Sequence, residues 1–221
     1  ETAKALAHLR SLVEFEGPQS FAAIIRETVP GTAGIMVPPP GYLTGVRELC
    51  NQYGIMLIFD EVMAGFGRTG KWLALDHFGA TPDLITFAKG VNSGYVPLGG
   101  VIVSDHIGER FTDKAYPGGL TYSGHPLACA AAVATIETMH DEHIVENAAT
   151  IGADVLGPGL AELAERREVI GDVRGLGVFW AVELVADRAT KEPLAPYGGT
   201  SPAMKAIADR ARANGLLMFS N

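Results

Sequence analysis

The chain has 221 residues, of which 48% are hydrophobic and 19% charged, and its formal net charge is −8. This composition predicts a hydrophobic core and excludes global disorder, while the negative charge and the lack of any run of more than two Lys or Arg argue against nucleic acids and anionic membranes as partners. No apolar run approaches the ~18–20 residues of a membrane-spanning helix, and residues 1–12 form an amphipathic pattern unlike a signal peptide, so we expect a cytoplasmic protein.

The first half of the chain alternates helical and extended patterns. Apolar residues at helical spacing predict helices over 1–16 and 43–53, the second of which follows a stiff PPPG turn and ends at Gly54. Short apolar runs predict buried strands of a mainly parallel sheet. These runs cover residues 22–25, 55–59, 83–88 and 101–103. The strand–helix–strand order implies right-handed crossover connections.

Two charged residues, Asp60 and Lys89, directly follow two of these strands. Because ligands of parallel sheets bind outside the carboxyl ends of the strands, both side chains are predicted to project from the same side of one sheet. A lysine in a dry pocket loses its proton more readily, and its neutral amine can form a Schiff base with an aldehyde. Pyridoxal phosphate (PLP) is such an aldehyde, and it requires a carboxylate beside its ring nitrogen. On spacing alone, Asp60 could also be the N-cap of a helix and Lys89 a surface lysine.

A glycine-rich segment over residues 65–70 predicts a loop that lacks the strand-to-helix context of a dinucleotide-phosphate site. An alanine-rich helix is predicted over 127–139, and two hydroxyl residues, Thr121 and Ser123, precede it. These hydroxyls could cap the helix or bind an anion at its N-terminus.

A glutamate, a histidine and two cysteines, which are residue types that can act in catalysis or metal binding, are predicted to be structural. Glu27 follows the first strand and could be a catalytic-site carboxylate or a strand-end charge bonded to a neighbouring loop, of which the structural role is favoured. His125 precedes the alanine-rich helix and has no metal-ligating partner in sight, so no metal site is predicted. Cys50 and Cys129 have no CxxC spacing and lie in apolar helical contexts, which predicts buried free thiols.

From residue 140 the pattern changes to that of a smaller α+β domain, which divides the chain into residues 1–139 and 140–221. A charged helix and a Pro/Gly/Thr-rich surface loop are predicted over 143–168 and 187–201. The remaining predicted elements are strands at 169–173 and 178–185, a helix at 202–214, and the start of a strand at 216–221.

Four motifs, in this order and at compatible spacing, resemble the class III aminotransferases, which are PLP enzymes of fold type I. They are LIFDEVMAGFGRTG (57–70), PDLITFAKG (82–90), VPLGG (96–100) and TYSGHPLACAAA (121–132); together with PPPGYL (38–43), the resemblance covers residues 20–221. It implies an α/β three-layer large domain with a predominantly parallel sheet, plus part of a smaller α+β C-terminal domain. Members of the family are longer, and their phosphate-binding glycine/serine loop, ring-stacking aromatic residue and carboxylate-binding arginine have no counterpart here. An incomplete active site is therefore expected.

The resemblance also implies roles for four residues. Lys89 would bind PLP as a Schiff base and carry the proton between the substrate carbon and the cofactor carbon, while Asp60 would keep the pyridinium charged. Val62 would pack against one face of the cofactor ring. Thr121 would bind the phosphate of the cofactor held by the neighbouring subunit, which implies a homodimer or a dimer of dimers.

Two departures from the family pattern bear on the substrates. Met63 and Thr32 stand where ornithine and GABA aminotransferases carry Gln and Glu, and both differences favour the type that transfers an amino group from an amine or omega-amino acid to a 2-oxo acid such as pyruvate. Two alternatives stay open. One is a PLP-dependent aminomutase or decarboxylase, because the sequence DEVM (60–63) also occurs in glutamate-semialdehyde aminomutases. The other is a non-catalytic fragment.

Overall fold

The structure is a computed structural model that describes residues 1–219. A four-stranded sheet occupies the first half of the chain, with its strands in sequence order. The first three strands are parallel and the fourth is antiparallel to the third. The strands are β1 (Ala23–Glu27), β2 (Met56–Asp60), β3 (Leu84–Phe87) and β4 (Gly100–Val103). The predicted parallel-rich sheet is therefore present.

Two helices, α1 (Thr2–Glu16) and α2 (Tyr42–Tyr53), cover the central strand β2. Alternate residues of β2 point to opposite faces, so Leu57 and Phe59 are fully buried while their neighbours are only half-buried. The buried members of this core are Val13, Leu43, Val46, Leu49, Cys50, Ile55, Leu57, Phe59 and Ala80.

The two outer strands are more exposed than the sequence predicts. Ile25 in β1 is 61% exposed and Val101 in β4 is 52% exposed. Both strands lie at the edges of the four-stranded sheet, where no further strand of the described chain pairs with them. An apolar run predicts a strand, but it does not reveal whether that strand is central or at an edge.

Asp83 connects three elements of this half. Its Oδ2 accepts hydrogen bonds from the Leu57 backbone N–H and from Arg47, both at 2.7 Å. Burial by itself would raise the pKa of Asp83, but the Leu57 N–H and the Arg47 guanidinium stabilise the ionised carboxylate and lower the pKa below its usual range. The carboxylate thus links α2 to β2 at the start of β3.

The connection between β4 and the second half of the chain contains a short helix, α3 (Asp105–Gly108), which the sequence did not predict. The alanine-rich helix α4 (Pro126–Asp141) follows and extends two residues beyond the predicted domain boundary. Cys129 in α4 is half-buried and not buried as predicted. The apolar face of α4 is open, since Leu127 and Val133 are 63% and 55% exposed.

The charged helix predicted over 143–168 is divided into α5 (Ile144–Ile151) and α6 (Gly157–Arg166) by one π turn (Gly152–Leu156). Gly152 lies against the backbone of Gly177, where no side chain would fit. The periodicity of charged and apolar residues does not encode this close approach, because it depends on a segment more than twenty residues away.

A second, antiparallel sheet contains β5 (Ile170–Leu176), β6 (Phe179–Asp187) and β7 (Glu192–Pro193). The first two confirm the predicted strands, whereas β7 lies within the predicted loop. The final helix α7 (Pro202–Ala213) begins after Ser201, whose Oγ accepts from the Met204 N–H at 3.2 Å. Residues 216–219 form no strand, and residues 220–221 of the predicted strand lie outside the described part. Within residues 1–219, no helix is long and apolar enough to span a membrane.

Candidate active site

Asp60 and Lys89 lie at the same edge of the four-stranded sheet. Asp60 is the last residue of β2 and pairs in register with Thr86 of the parallel neighbour β3. Lys89 begins a 3-10 turn (Lys89–Asn92) two residues after the end of β3, with Ala88 between them. Because β2 and β3 are parallel and adjacent, their carboxyl ends bring an acid and a base to one side of the sheet.

The backbone of Lys89 has φ 45°, in the left-handed region that residues with a side chain rarely adopt. The next residue is Gly90, and a Cβ there would lie 2.7 Å from the Cβ of Phe66. Close packing of the 65–70 loop therefore fixes the turn that carries Lys89. Strained backbone of this kind is common at functional sites.

The Lys89 side chain borders an open depression and is exposed in this chain, as the surface-lysine alternative expects. The segment over residues 93–99, which is itself largely exposed, supplies most of the lining of this depression. The other lining residues are Ala88, Asn92, Gly94, Val96, Pro97, Leu98 and Gly99. Asp60, Val62 and Thr121 do not line this depression.

Asp60 is half-buried, and its Oδ1 accepts from the Val62 backbone N–H at 2.8 Å. This bond orients the carboxylate and the turn that carries Val62, which is also half-buried. Asp60 has no ion-pair partner among residues 1–219. A strand-end carboxylate without a cationic neighbour fits a ligand that brings its own positive charge, as a protonated pyridine ring does.

Glu61 is a residue that the sequence reasoning did not single out. It is fully buried, and its carboxylate accepts from the Thr28 hydroxyl at 2.7 Å and from the Ala74 and Leu75 backbone N–H groups at 2.9 Å each. Burial raises the pKa of Glu61, and these three hydrogen bonds oppose the shift. The sequence could have indicated its burial, because Glu61 comes two residues after the buried Phe59 and continues the alternation of the strand.

Glu27 and Met63 lie beside this edge of the sheet. Glu27 ends β1, pairs in register with Asp60, and its Oε2 accepts from the Gly31 N–H at 2.8 Å. This hydrogen bond holds the loop that follows β1 against the end of the strand, which is a structural role for Glu27. Met63 is half-buried and packs against Gly31 and an apolar cluster that contains Val29.

Thr121 lies in an exposed turn before α4. His125 is the N-cap residue of α4, and no side chain caps the helix, so neither Thr121 nor Ser123 has the capping role that the sequence left open. The helix packs against the Lys89–Asn92 turn, so the turn containing Thr121 precedes an element that contacts the segment carrying the lysine. His125 is exposed, with its ring 6.1 Å from that of Tyr122. Across the described residues, no cluster of His, Cys, Asp or Glu has the arrangement of a metal site.

The sequence model of the family described as aminotransferase class-III matches residues 1–221. The chain is 41% identical over 198 residues to the taurine–pyruvate aminotransferase of Bilophila wadsworthia, an alignment that covers 87% of this chain and 43% of that protein. It is 40% identical over 183 residues to the putrescine–pyruvate aminotransferase of Pseudomonas aeruginosa, covering 82% of this chain and 40% of that protein. The chain thus spans less than half the length of these relatives.

Solved structures share the fold over the whole chain. The taurine:2-oxoglutarate aminotransferase of Bifidobacterium kashiwanohense, determined in complex with PLP and glutamate, superposes with a TM-score of 0.95 and 44% identity over 100% of this chain and 49% of that one. An (S)-enantioselective omega-transaminase from Thermomicrobium roseum superposes with a TM-score of 0.89 and 41% identity over 100% of this chain and 48% of that one. These similarities confirm the predicted α/β fold.

Proposed function

Since the chain belongs to the class III aminotransferase family, we propose that it carries the lysine and ring-nitrogen half of a PLP site in an enzyme that transfers an amino group from an amine or omega-amino acid to a 2-oxo acid. The observation that carries the proposal is the placement of Asp60 and Lys89 at the ends of two adjacent parallel strands. The relatives named for taurine and putrescine with pyruvate support an amine or aminosulfonate donor.

The acceptor we propose is pyruvate. Two relatives are named for pyruvate, whereas the Bifidobacterium enzyme is named for 2-oxoglutarate. Met63 and Thr32, which stand where ornithine and GABA aminotransferases carry Gln and Glu, agree with the pyruvate type.

Each of the four residues has a specific task in this proposal. When bound, PLP supplies an electron sink that stabilises negative charge at the substrate carbon. Lys89 would hold the cofactor through Nζ, and the same amine would carry the proton that moves during amino transfer. The Asp60 carboxylate keeps the ring nitrogen protonated, and Val62 packs on the ring face. Thr121 donates its hydroxyl to the cofactor phosphate of a neighbouring subunit.

A homodimer is part of the same proposal. Lys89 is exposed in the isolated chain, and proton transfer at a neutral amine requires a site from which water is excluded. The segment around Thr121 exposes large apolar side chains, which marks a surface for protein contact. Among them, Leu120, Tyr122 and Leu127 are 80%, 78% and 63% exposed. A second copy of the chain would cover both features.

We also propose the division into residues 1–139 and 140–221 and a cytoplasmic location. The division is supported by the separation of the two sheets, one within residues 23–103 and the other within 170–193. The location rests on the sequence pattern alone.

Borohydride reduction tests the proposal directly. The complete gene product incubated with PLP is expected to show the absorbance of a lysine adduct, and reduction followed by peptide mapping is expected to leave a phosphopyridoxyl group on Lys89. A label on Lys71 or Lys114 instead would contradict the assignment. No absorbance and no label would favour the non-catalytic alternative, and a labelled enzyme that isomerises or decarboxylates its substrate without an acceptor would favour the aminomutase or decarboxylase.

A further inference from the structure

Glu61 occupies the position between the two residues proposed to contact the cofactor ring. Leu57, Phe59 and Glu61 are all fully buried, whereas Asp60 and Val62 are half-buried, so the alternation of β2 continues past its last residue. The carboxylate of Glu61 therefore lies behind the strand end, on the side away from Asp60 and Val62.

The contacts of Glu61 join three separate segments to this strand end. Its carboxylate accepts from Thr28, which directly follows β1, and from Ala74 and Leu75 in the first turn of the 3-10 helix Ala74–His77. Its own backbone N–H donates to the Thr86 carbonyl of β3 at 2.8 Å. One residue thus joins β1, β3 and the 3-10 helix at the point where the site begins.

We propose that Glu61 is a positioning residue for the aminotransferase reaction, fixing the backbone between Asp60 and Val62 so that both side chains would be held in place for the cofactor ring. This inference rests on the function proposed above. It deepens that function by assigning a task to a buried acid that does not itself touch the cofactor.

The chemistry of the contacts explains why an acid occupies this position. All three partners are neutral donors, and no Lys or Arg among residues 1–219 pairs with Glu61. Burying a carboxylate without a cation costs stability, so a residue with only a packing task would be better served by an apolar side chain. A carboxylate, however, is the one side chain of this size with acceptors on both terminal atoms.

An amide cannot reproduce this arrangement. Oε1 of Glu61 accepts from Thr28 and from the Leu75 N–H, and Oε2 accepts from the Ala74 N–H. In Glu61→Gln, whichever way the amide is turned, its NH2 group faces one of the two backbone N–H groups. The turn must shift to relieve this contact, and Asp60 and Val62 shift with it.

The experiment measures PLP binding in the complete gene product of wild type and Glu61→Gln. We expect the variant to bind PLP about tenfold more weakly, since a misplaced Asp60 loses most of a charge-assisted hydrogen bond. The pH midpoint of the absorbance change of bound cofactor is expected to move as well. Val13→Ala is the control: Val13 is buried in α1, which packs on α2, so the melting temperature should fall while both cofactor readouts stay unchanged.

If Glu61→Gln does not fold, a second pair of variants tests the same role of Glu61. Thr28→Val removes one donor to Glu61, while Thr28→Ser retains the hydroxyl. We expect Thr28→Val to weaken PLP binding about threefold and Thr28→Ser to stay close to wild type. Folded Glu61→Gln or Thr28→Val protein with wild-type affinity and an unchanged pH midpoint would overturn the role of Glu61.

Borohydride labelling separates this inference from the proposed function. Wild-type protein that acquires no label on Lys89 contradicts the proposed function itself. Wild-type protein that is labelled, together with a Glu61→Gln variant that binds PLP unchanged, contradicts only the role of Glu61.

Discussion

The guanidinium of Arg174 in β5 donates from Nε to the carbonyl oxygen of Gly34 at 2.7 Å, across 140 residues of sequence. Its Nη1 also lies 2.6 Å from the carboxylates of Asp172 and Glu183. Arg174 is largely buried, whereas the two acids are about half-exposed. The arginine therefore ties the second sheet to the loop that follows β1, next to the candidate site.

Replacing Arg174 with Ala is expected to lower the free energy of unfolding by about 1–3 kcal/mol, because the Gly34 carbonyl loses its donor and two acids lose their cation. Urea denaturation measures the change. Arg166→Ala is the matched control, since Arg166 is exposed in α6 and, within residues 1–219, pairs only with Glu162 one helical turn away. The control should change stability by no more than about 0.5 kcal/mol, and equal effects of the two variants would contradict the linking role of Arg174.

Gly177 tests how closely the two halves pack. Its φ is 55°, and a Cβ there would overlap the backbone of Thr69 and Gly70 in the loop after Asp60. We expect Gly177→Ala to cost more than about 3 kcal/mol, or to prevent folding, since both strain and overlap oppose it. Gly198→Ala is the control, because Gly198 has φ 69° but open space around it. That change should cost only the strain of a left-handed backbone, about 1–2 kcal/mol. If the two variants lower the melting temperature equally, the close contact at Gly177 is contradicted.

Asp83 should make stability depend on pH in a defined direction. Its folded-state pKa is lowered, so its contribution is present above the unfolded pKa of about 3.9 and is lost as pH falls through the folded value. The difference in unfolding free energy between wild type and Asp83→Asn is therefore expected to shrink from pH 6 towards pH 2. Asp154→Asn, at an exposed position of the π turn, should show little change over the same range. A difference that grows on acidification would contradict the Arg47 and Leu57 contacts.

Asp60→Asn tests the ring-nitrogen partner. The amide can still accept from the Val62 N–H, so the fold should be retained, but the negative charge is lost. We expect the rate of the half-reaction with donor amine to fall at least about a hundredfold, which corresponds to about 2.7 kcal/mol of transition-state stabilisation. Single-turnover absorbance measures the rate, and an unchanged melting temperature is the control for folding. Near-normal turnover would remove Asp60 from the proposed chemistry.

Local patterns in the sequence were sufficient to place Asp60 and Lys89, because an apolar run followed by a charge marks a strand end within a few residues. They left the exposure of Lys89 open and did not predict that of Ile25 in β1, because exposure depends on which elements lie beside a strand.

The contacts of Glu61 and Arg174 could not be predicted from local sequence patterns. The partner of Arg174 is 140 residues away, and the donors to Glu61 come from segments 33, 13 and 14 residues away. Periodicity records which face of an element is apolar, but it does not record which distant backbone groups that face will meet. The π turn at Gly152 was missed for the same reason.

The last prediction concerns the assembly and the role of Thr121. If Thr121 binds the phosphate of a partner's cofactor, a site needs Lys89 from one subunit and Thr121 from the other. The complete gene product is prepared as Lys89→Ala and as Thr121→Val, and the two inactive variants are mixed under conditions that exchange subunits. Random exchange gives roughly half mixed dimers, and each has one site with both residues intact, so partial activity should return.

The matched control mixes Lys89→Ala with Asp60→Asn. Asp60 and Lys89 lie on adjacent strands of one chain, so a mixed dimer of these variants has a defect in each site and should stay inactive. Exchange is verified with differently tagged subunits. Activity that returns in the first mixture but not in the second places Thr121 across the interface, because only a residue shared between subunits can complement in this way. A first mixture that stays inactive despite verified exchange would restrict Thr121 to its own subunit and remove the main chemical reason for an obligate dimer.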